Sequence, residues 1–488
     1  MRIPPGEAIC LDAVLWRGGV GQGTAFERWA KAQTPSEVRV EPIPSAPDVA
    51  EQITRGQRGL ETGPFAVDTL TLPYDNPYQA LLFASGVDFT ADGTGYVCTI
   101  HGDVWRVTGI DAGLQSLHWK RVASGLFQPL GLKVRGNQVY VLGKDRITRL
   151  DDLNHDGVTD FYATFYDGIA TSLGGHDYVT CLEVDQEGRF YYADPQGVHR
   201  VAADGKSAQT LASGFRNPNG MGASPDGRVI TVAPQQGTWT PTSEIVEAQS
   251  GGWYGFGGPK ADHNPPLGRD WPLCWIPHTV DNSSGSQAWI PSGQWGELGG
   301  QMMHLLWGRC GMMLVLRDTH GAVAQGAVVP LPVKFLSGPN RATFRTQDSS
   351  LYVAGSTGWQ TSAVKDGAVQ RVRRTGKPLR SPVGWKQDGA SLEFTFAEKL
   401  DPAAAADAGS FGVRRWNYRY TQDYGSKEWS VLDPKKEGRD EVEVKSAALL
   451  PDGKTVRLTL ADARPAMQYE LRYDVGFRGQ VWFSLHGR

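Results

Sequence analysis

Between residues 73 and 375 the apolar positions come in short alternating bursts, and each burst is cut by a turn rich in Gly, Asn, Asp or Pro. SGVDFTADGTGYVCTIHGDVWRV, SGLFQPLGLKVRGNQVYVLGKDRITRL and GGHDYVTCLEVDQEGRFYYADPQGVHRV share one order of parts, as do SGFRNPNGMGASPDGRVITVAPQQG and SGPNRATFRTQDSSLYVAGSTG. A small-residue turn leads into an apolar strand. A DG-like or GN-type hairpin follows, then a second strand rich in Tyr and Val, and often a third ending in a basic residue. Period-two alternation with such hairpins predicts strands rather than helices. A weaker sixth copy lies around 281–316. Six repeats of one antiparallel unit predict an all-β protein built on a six-bladed β-propeller.

In that architecture the innermost strand of each blade lines a central channel, and the residues just before it rim one mouth. The copies place Gln128, His176, Arg216 with Asn217, Asp281 with Asn282, and Arg341 there. Polar groups converging on one concavity are the usual form of a ligand site. The alternative is that they cap strand ends and hydrogen-bond the loops.

The flanks read differently. Residues 1–72 carry short β-like pieces (EAICLDAVLW, EVRVEPI) and a Pro-rich connector, giving an N-terminal β segment. From 376 to 488 alternating strands with PDG hairpins predict a small β-sandwich of immunoglobulin-like type. KKEGRDEVEVKS within it reads as a solvated edge.

Composition narrows the function classes. A formal net charge of −3 gives no nucleic-acid footprint. The five cysteines are widely spaced, with neither CxxC nor the CxxCH of covalent haem attachment, so buried free thiols are expected. MRIPPGEAICLD lacks the basic start and apolar core of a signal peptide, and reads as the start of a mature or trimmed chain.

One stretch carries more. GFRNPNGMGASPDGR, followed by APQQGTWTPTSEIVEAQSGGWYGFGG, resembles the core of the soluble aldose dehydrogenases that use pyrroloquinoline quinone (PQQ), over residues 212–262. SGLFQPLGLKV, RITRLDDLNHDGVTDFY, PLCWIP and GSTGWQTSAVKDGAVQRVRRTGKP resemble the multi-domain dehydrogenase-like propellers of planctomycetes, which are often followed by a c-type haem domain. The first resemblance implies a quinone-dependent sugar dehydrogenase that passes electrons to a c-type cytochrome and is periplasmic or secreted. His176 would be the base that takes the proton from the sugar hydroxyl, a task suited to an imidazole. Arg216 and Asn217 match the RN pair that meets the quinone, and a guanidinium there stabilises charge developing on reduction. Gln128, Asn219, Lys334 and Arg341, with Arg345, are the further groups available to the cofactor.

The resemblance also implies a calcium ion, held by the Gly237 and Thr238 carbonyls and the Glu244 carboxylate. Tyr254 and Asp262 fall near further family positions. Thr238 stands where the family has proline, and Asn219 where many members have Gln. Hard cations require such oxygen donors. A separate loop, DLNHDGVTDFYA, places Asp152, Asn154, Asp156, Val158 (by its carbonyl) and Asp160 at calcium-loop spacing, with Gly157 at the sharp turn. Ala163 stands where a bidentate Glu belongs. The loop either holds calcium or is an ion-free hairpin. Of the sixteen tryptophans, Trp239 is the one expected near the site.

Two other readings stay open. A polysaccharide lyase or hydrolase would use His176, Tyr178 and Arg216 without a redox cofactor. A non-catalytic glycan-binding module would use the same mouth, since fold does not fix function.

Overall fold

The structure, a computed structural model, describes residues 17–19, 21–33, 51–170, 177–258, 269–319 and 323–486. Six sheets form a ring, antiparallel except where Gly252–Trp253 runs parallel to Ala208–Ser213 at the edge of the third. Their inner strands, in chain order, are Ala84–Phe89, Gly131–Arg135, Thr180–Val184, Gly220–Ala223, Ser284–Trp289 and Gly338–Arg345. Each inner strand contacts the next, and the sixth contacts the first, which closes the propeller.

The ring is tight at its axis, and this explains the small residues at the strand entrances. A Cβ on Gly220 would stand 2.0 Å from the Gly285 carbonyl, and one on Gly285 would stand 2.3 Å from that of Pro339. Neighbouring backbones approach closely here, and no side chain fits between them. Further out the blades bury large side chains against each other. Tyr140 and Leu142 of the second blade pack on Phe190 and Tyr192 of the third. Cys98, Cys181, Cys274 and Cys310 are buried free thiols within these layers. Burial pushes the Cys98 thiol up to about 11, so it stays protonated and inert.

The flanks join the ring more closely than their sequence pattern suggests. Phe65–Leu70 runs antiparallel to Gly367–Arg374 as the outer strand of the sixth blade, and Gln52–Thr54 adds a fifth strand to the first. Those residues of the N-terminal segment are therefore propeller strands. GTAFERWAK, read as part of a β segment, is a helix, Gly23–Lys31.

The C-terminal region has two sheets. One is ordered Pro382–Asp388, Ser391–Phe396, Thr455–Leu460, Val444–Leu449. The other is ordered Arg478–Leu485, Ala466–Asp474, Phe411–Trp416, Asp440–Val442. Arg478–Leu485 also pairs with Gln325–Pro330, so this second sheet continues the fifth blade. Among the described residues no helix is long and apolar enough to cross a membrane.

Candidate functional site

Inner strands start at one end of the ring, and the turns joining each blade's second and third strands lie at that same end. Together they form the channel mouth. Small hydroxyls near the strand starts seal it. Ser85 Oγ donates to the Pro129 carbonyl (2.7 Å), Thr180 Oγ1 to that of Pro218 (2.7 Å) and Ser286 Oγ to that of Asn340 (2.8 Å). Each bond links one blade to the entrance of the next.

Several rim residues belong to this seal. Arg341 is 5% exposed. Its Nε donates to the Leu130 carbonyl (3.0 Å), its Nη1 to the Asn340 carbonyl (2.8 Å) and its Nη2 to Asn219 Oδ1 (3.4 Å). Asn219 Nδ2 in turn donates to the Ser284 carbonyl (2.8 Å). These two residues tie the second, fourth, fifth and sixth blades together, and their polar atoms are spent on the fold. Asp281 is wholly buried and accepts from the Ser283 N–H (3.1 Å), the Ser284 hydroxyl (2.7 Å) and His304 Nε2 (2.8 Å). Capping is thus the role of Asp281, Asn219 and Arg341, as the bland alternative holds. Lys334 is exposed and donates to the Arg309 carbonyl (2.6 Å). Arg345 lies at the far end of its strand from the mouth and donates to the Gly93 carbonyl.

Other groups remain available. Gln128 and Asn217 both have left-handed backbones, at φ 51° and 41°. No hydrogen bond to either side chain is found among the described residues. Non-glycine residues held there carry strain, which clusters at ligand sites. Tyr178, 38% exposed, stands on the adjoining turn. His176 lies outside the described residues, as does Asp262.

Arg216 reaches the mouth but is not free. Its Nη1 donates to the Gln236 carbonyl, and its guanidinium lies 5.1 Å from the Tyr424 ring centre. A Cβ on Gly237 would meet Arg216 Nε at 2.1 Å, so only glycine lets the guanidinium lie flat on the turn. Tyr424 comes from the C-terminal region, and more of that region follows it onto the same turn. The Gly425 N–H donates to the Gly237 carbonyl (3.0 Å), the Trp239 N–H to the Thr421 carbonyl (2.7 Å), and Thr238 bridges to Tyr424. Trp239 is half-buried with its ring against Gly258.

Glu244 is 1% exposed, on the strand Ser243–Glu247 opposite Trp275. Its Oε2 accepts from the Tyr420 hydroxyl (2.6 Å), which accepts from Trp275 Nε1 (3.0 Å). The Arg269 guanidinium stacks 3.6 Å from the Tyr420 ring centre. Burial pushes the Glu244 carboxyl up to about 7, against the lowering pull of Tyr420 and Arg269.

This arrangement corrects the calcium assignment at Gly237, Thr238 and Glu244. The Gly237 carbonyl already accepts an N–H, and the Glu244 carboxyl is held by a tyrosine and drawn toward its protonated form. Among the described residues no group of three or more His, Cys, Asp or Glu side chains converges as a metal site. With Arg341 and Arg345 spent elsewhere and Arg216 pinned, the cations that would meet the quinone carboxylates are engaged as well. The residues present do not fit the calcium–quinone pair. The physical reason is the loop at Tyr418–Ser426, which belongs to the C-terminal region and carries no motif of its own.

The Asp152–Asp160 loop forms a hairpin on the outer edge of the second blade, away from the mouth. Several of its side-chain oxygens accept from its own backbone, while Asp152 Oδ1 is buried with no hydrogen-bond partner among the described residues. Asp160 Oδ2 accepts from the Leu153 (2.7 Å) and Asn154 (3.1 Å) N–H groups, Asn154 Oδ1 from Asp156 (2.9 Å), Asp152 Oδ2 from Gly157 (2.8 Å) and Asp156 Oδ1 from Val158 (2.9 Å). Asp160→Ala is expected to cost about 1–2 kcal/mol in calcium-free buffer, since two N–H groups lose their acceptor. Urea denaturation with and without chelator checks this. A loss seen only with calcium present would assign the carboxylate to an ion instead.

No protein-family model matches the chain, and no curated protein matches it. Solved structures do resemble it. A putative oxidoreductase (glucose dehydrogenase) from Thermus thermophilus superposes with TM-score 0.49 at 15% identity, covering 63% of this chain and 100% of its own. The pyranose dehydrogenase PQQ domain from Coprinopsis cinerea gives 0.45 at 12%, covering 68% and 99%. The soluble aldose sugar dehydrogenase from Escherichia coli, in its apo form, gives 0.46 at 13%, covering 64% and 99%. Neighbours this distant decide nothing about activity.

Proposed function

We propose that the protein is carbohydrate-active and that a saccharide binds at the channel mouth. The observation that carries this reading is the amide pair Gln128 and Asn217, without side-chain partners among the described residues and held in left-handed backbone at the same mouth as the exposed Tyr178 and the Tyr424 ring. Amides donate and accept in the way that vicinal hydroxyls require, and aromatic faces suit the apolar face of a sugar ring.

Sugar oxidation is the second reading, supported by the SGFRNPNGMG turn and its resemblance to the PQQ aldose dehydrogenases. The chain's own contribution would be to hold the sugar by Asn217 and Gln128, with Arg216 adding positive charge. A c-type cytochrome as electron acceptor and a periplasmic or secreted location belong to that reading.

Titration calorimetry with a panel of aldoses and neutral oligosaccharides tests the first reading. Asn217→Ala and Gln128→Ala are each expected to weaken binding roughly tenfold, the effect of about 1.4 kcal/mol from a lost hydrogen bond at a desolvated site. Unchanged affinity in both variants would overturn it. Dye reduction that requires added PQQ and calcium would establish the second reading and overturn the misfit of the calcium–quinone pair. Unsaturated or shortened products without any cofactor would replace both with a lyase or hydrolase.

A further inference from the structure

The exposed aromatic side chains are unevenly placed. Among the described residues nine aromatics are exposed: Trp29, Tyr74, Phe127, Phe161, Tyr162, Tyr178, Trp271, Trp359 and Tyr424. Five of them, Tyr74, Phe127, Tyr178, Trp359 and Tyr424, stand on segments at the mouth end of the ring.

Their neighbours confirm the placement. The Phe127 carbonyl accepts from the Lys144 N–H (2.8 Å), within a turn that joins the second and third strands of its blade. Trp359 belongs to the equivalent turn of the sixth blade. That turn is held over the fifth by Asn282 Nδ2 donating to the Gln360 carbonyl (3.2 Å) and by the Ser362 N–H donating to the Gly308 carbonyl (2.8 Å). Trp359 is 84% exposed and Phe127 56%, values for which core packing gives no reason. Tyr424 lies over Arg216, at the entrance of the fourth blade.

Deepening the saccharide reading, on which it rests, we propose that the ligand is an extended neutral glycan laid across the mouth, with Phe127, Tyr178, Trp359 and Tyr424 stacking successive sugar units. Three features select this occupant. The rings are set singly on different loops with polar residues between them (Gln128, Asp177, Gln235, Thr361), whereas an apolar protein partner would meet a contiguous patch. Three cations at this end that would recognise uronates or sulfates are engaged: Arg146 pairs with Asp145 (2.8 Å), Arg216 with the Gln236 carbonyl, and Arg341 is buried in the ring. A monosaccharide would occupy one or two rings and leave the remainder exposed.

The test uses the full chain and neutral β-linked gluco- and manno-oligosaccharides of one to six units, with an oligouronate as charged control. Binding is read by calorimetry and by tryptophan fluorescence. Affinity is expected to rise at least tenfold from monomer to hexamer in one series. Trp359→Ala and Phe127→Ala should each weaken hexamer binding by roughly five- to tenfold, the value of one aromatic stack. Both residues are solvent-exposed, so these variants fold, and their unfolding midpoints verify it. Monomer binding with no gain in length, or preference for the oligouronate, overturns the glycan inference and leaves the saccharide reading standing. No binding to any sugar overturns both, as does retention of a protein in place of glycan.

Discussion

Asp68→Ala is expected to destabilise the protein by about 3–5 kcal/mol and to open the propeller at its closure. Asp68 is wholly buried on Phe65–Leu70, the strand that the N-terminal side lends to the sixth blade. It accepts from Arg371 Nε (2.7 Å), Arg373 Nε (2.6 Å) and Nη2 (3.0 Å), and the Gly59 N–H (2.9 Å). Burial alone would raise its pKa. The bonds from Arg373, Gly59 and Arg371 outweigh that and hold the carboxyl below the usual range. Removing it takes from Arg371, 2% exposed, its nearest carboxylate, leaving the Asp111 and Ala112 carbonyls and Asp348 at 3.7 Å. Its contribution is present above the ordinary aspartate pKa and is lost as pH falls through the depressed folded value. Urea denaturation gives the size, and hydrogen exchange should show residues 65–70 and 367–374 losing protection together. A loss under about 1 kcal/mol would mean that the closure does not depend on this carboxylate.

The seam between the C-terminal region and the fourth blade is expected to weaken as pH rises from about 5 to 8. The Glu244 carboxyl has its pKa raised to about 7 by burial, so the folded state binds a proton that the unfolded chain has released. A raised pKa stabilises fully below the unfolded value and loses that stabilisation as pH passes the folded one. For a wholly buried group the change is on the order of 3 kcal/mol across this interval. The neighbours on every side are Tyr420, Trp275 and Arg269, and only Arg269 offsets the charge once it forms. Chemical denaturation at pH 5, 6.5 and 8 should show this slope in the wild type and a flatter one in Glu244→Gln. Equal slopes would show that some other group titrates. Calcium added at pH 8 should not restore the loss, because the Gly237 carbonyl stays bonded to Gly425.

Much of the ring could be read from local pattern. Alternation with hairpins identifies strands wherever one face is buried, and the repeat then counts the blades. Even the faint copy at 281–316 supplies inner, middle and third strands of the fifth blade. The glycines at the strand entrances were visible but their reason was not. It lies in a neighbouring backbone distant in sequence, such as Gly285 against Gly220. For the C-terminal region we propose an immunoglobulin-like sandwich on its strand order, 1-2-6-5 in one sheet and 8-7-3-4 in the other.

The candidate site was legible only in part. Composition and repeat brought Gln128, Arg216 and Asn217 to one mouth, because the blade grammar fixes where each turn lies. Sequence could not say which polar side chains the ring would consume. Arg341 and Asn219, cofactor groups by the resemblance, serve as ties between blades, since their acceptors include backbone carbonyls from two other repeats, Leu130 and Ser284. Glu244 was read as a ligand by its place in a motif. Its chemistry is set instead by Tyr420, 176 positions away, which buries it. Local pattern determines secondary structure and repeat count, because those depend on near neighbours. Tertiary packing alone decides whether a polar atom stays free to bind, because its partners come from anywhere in the chain.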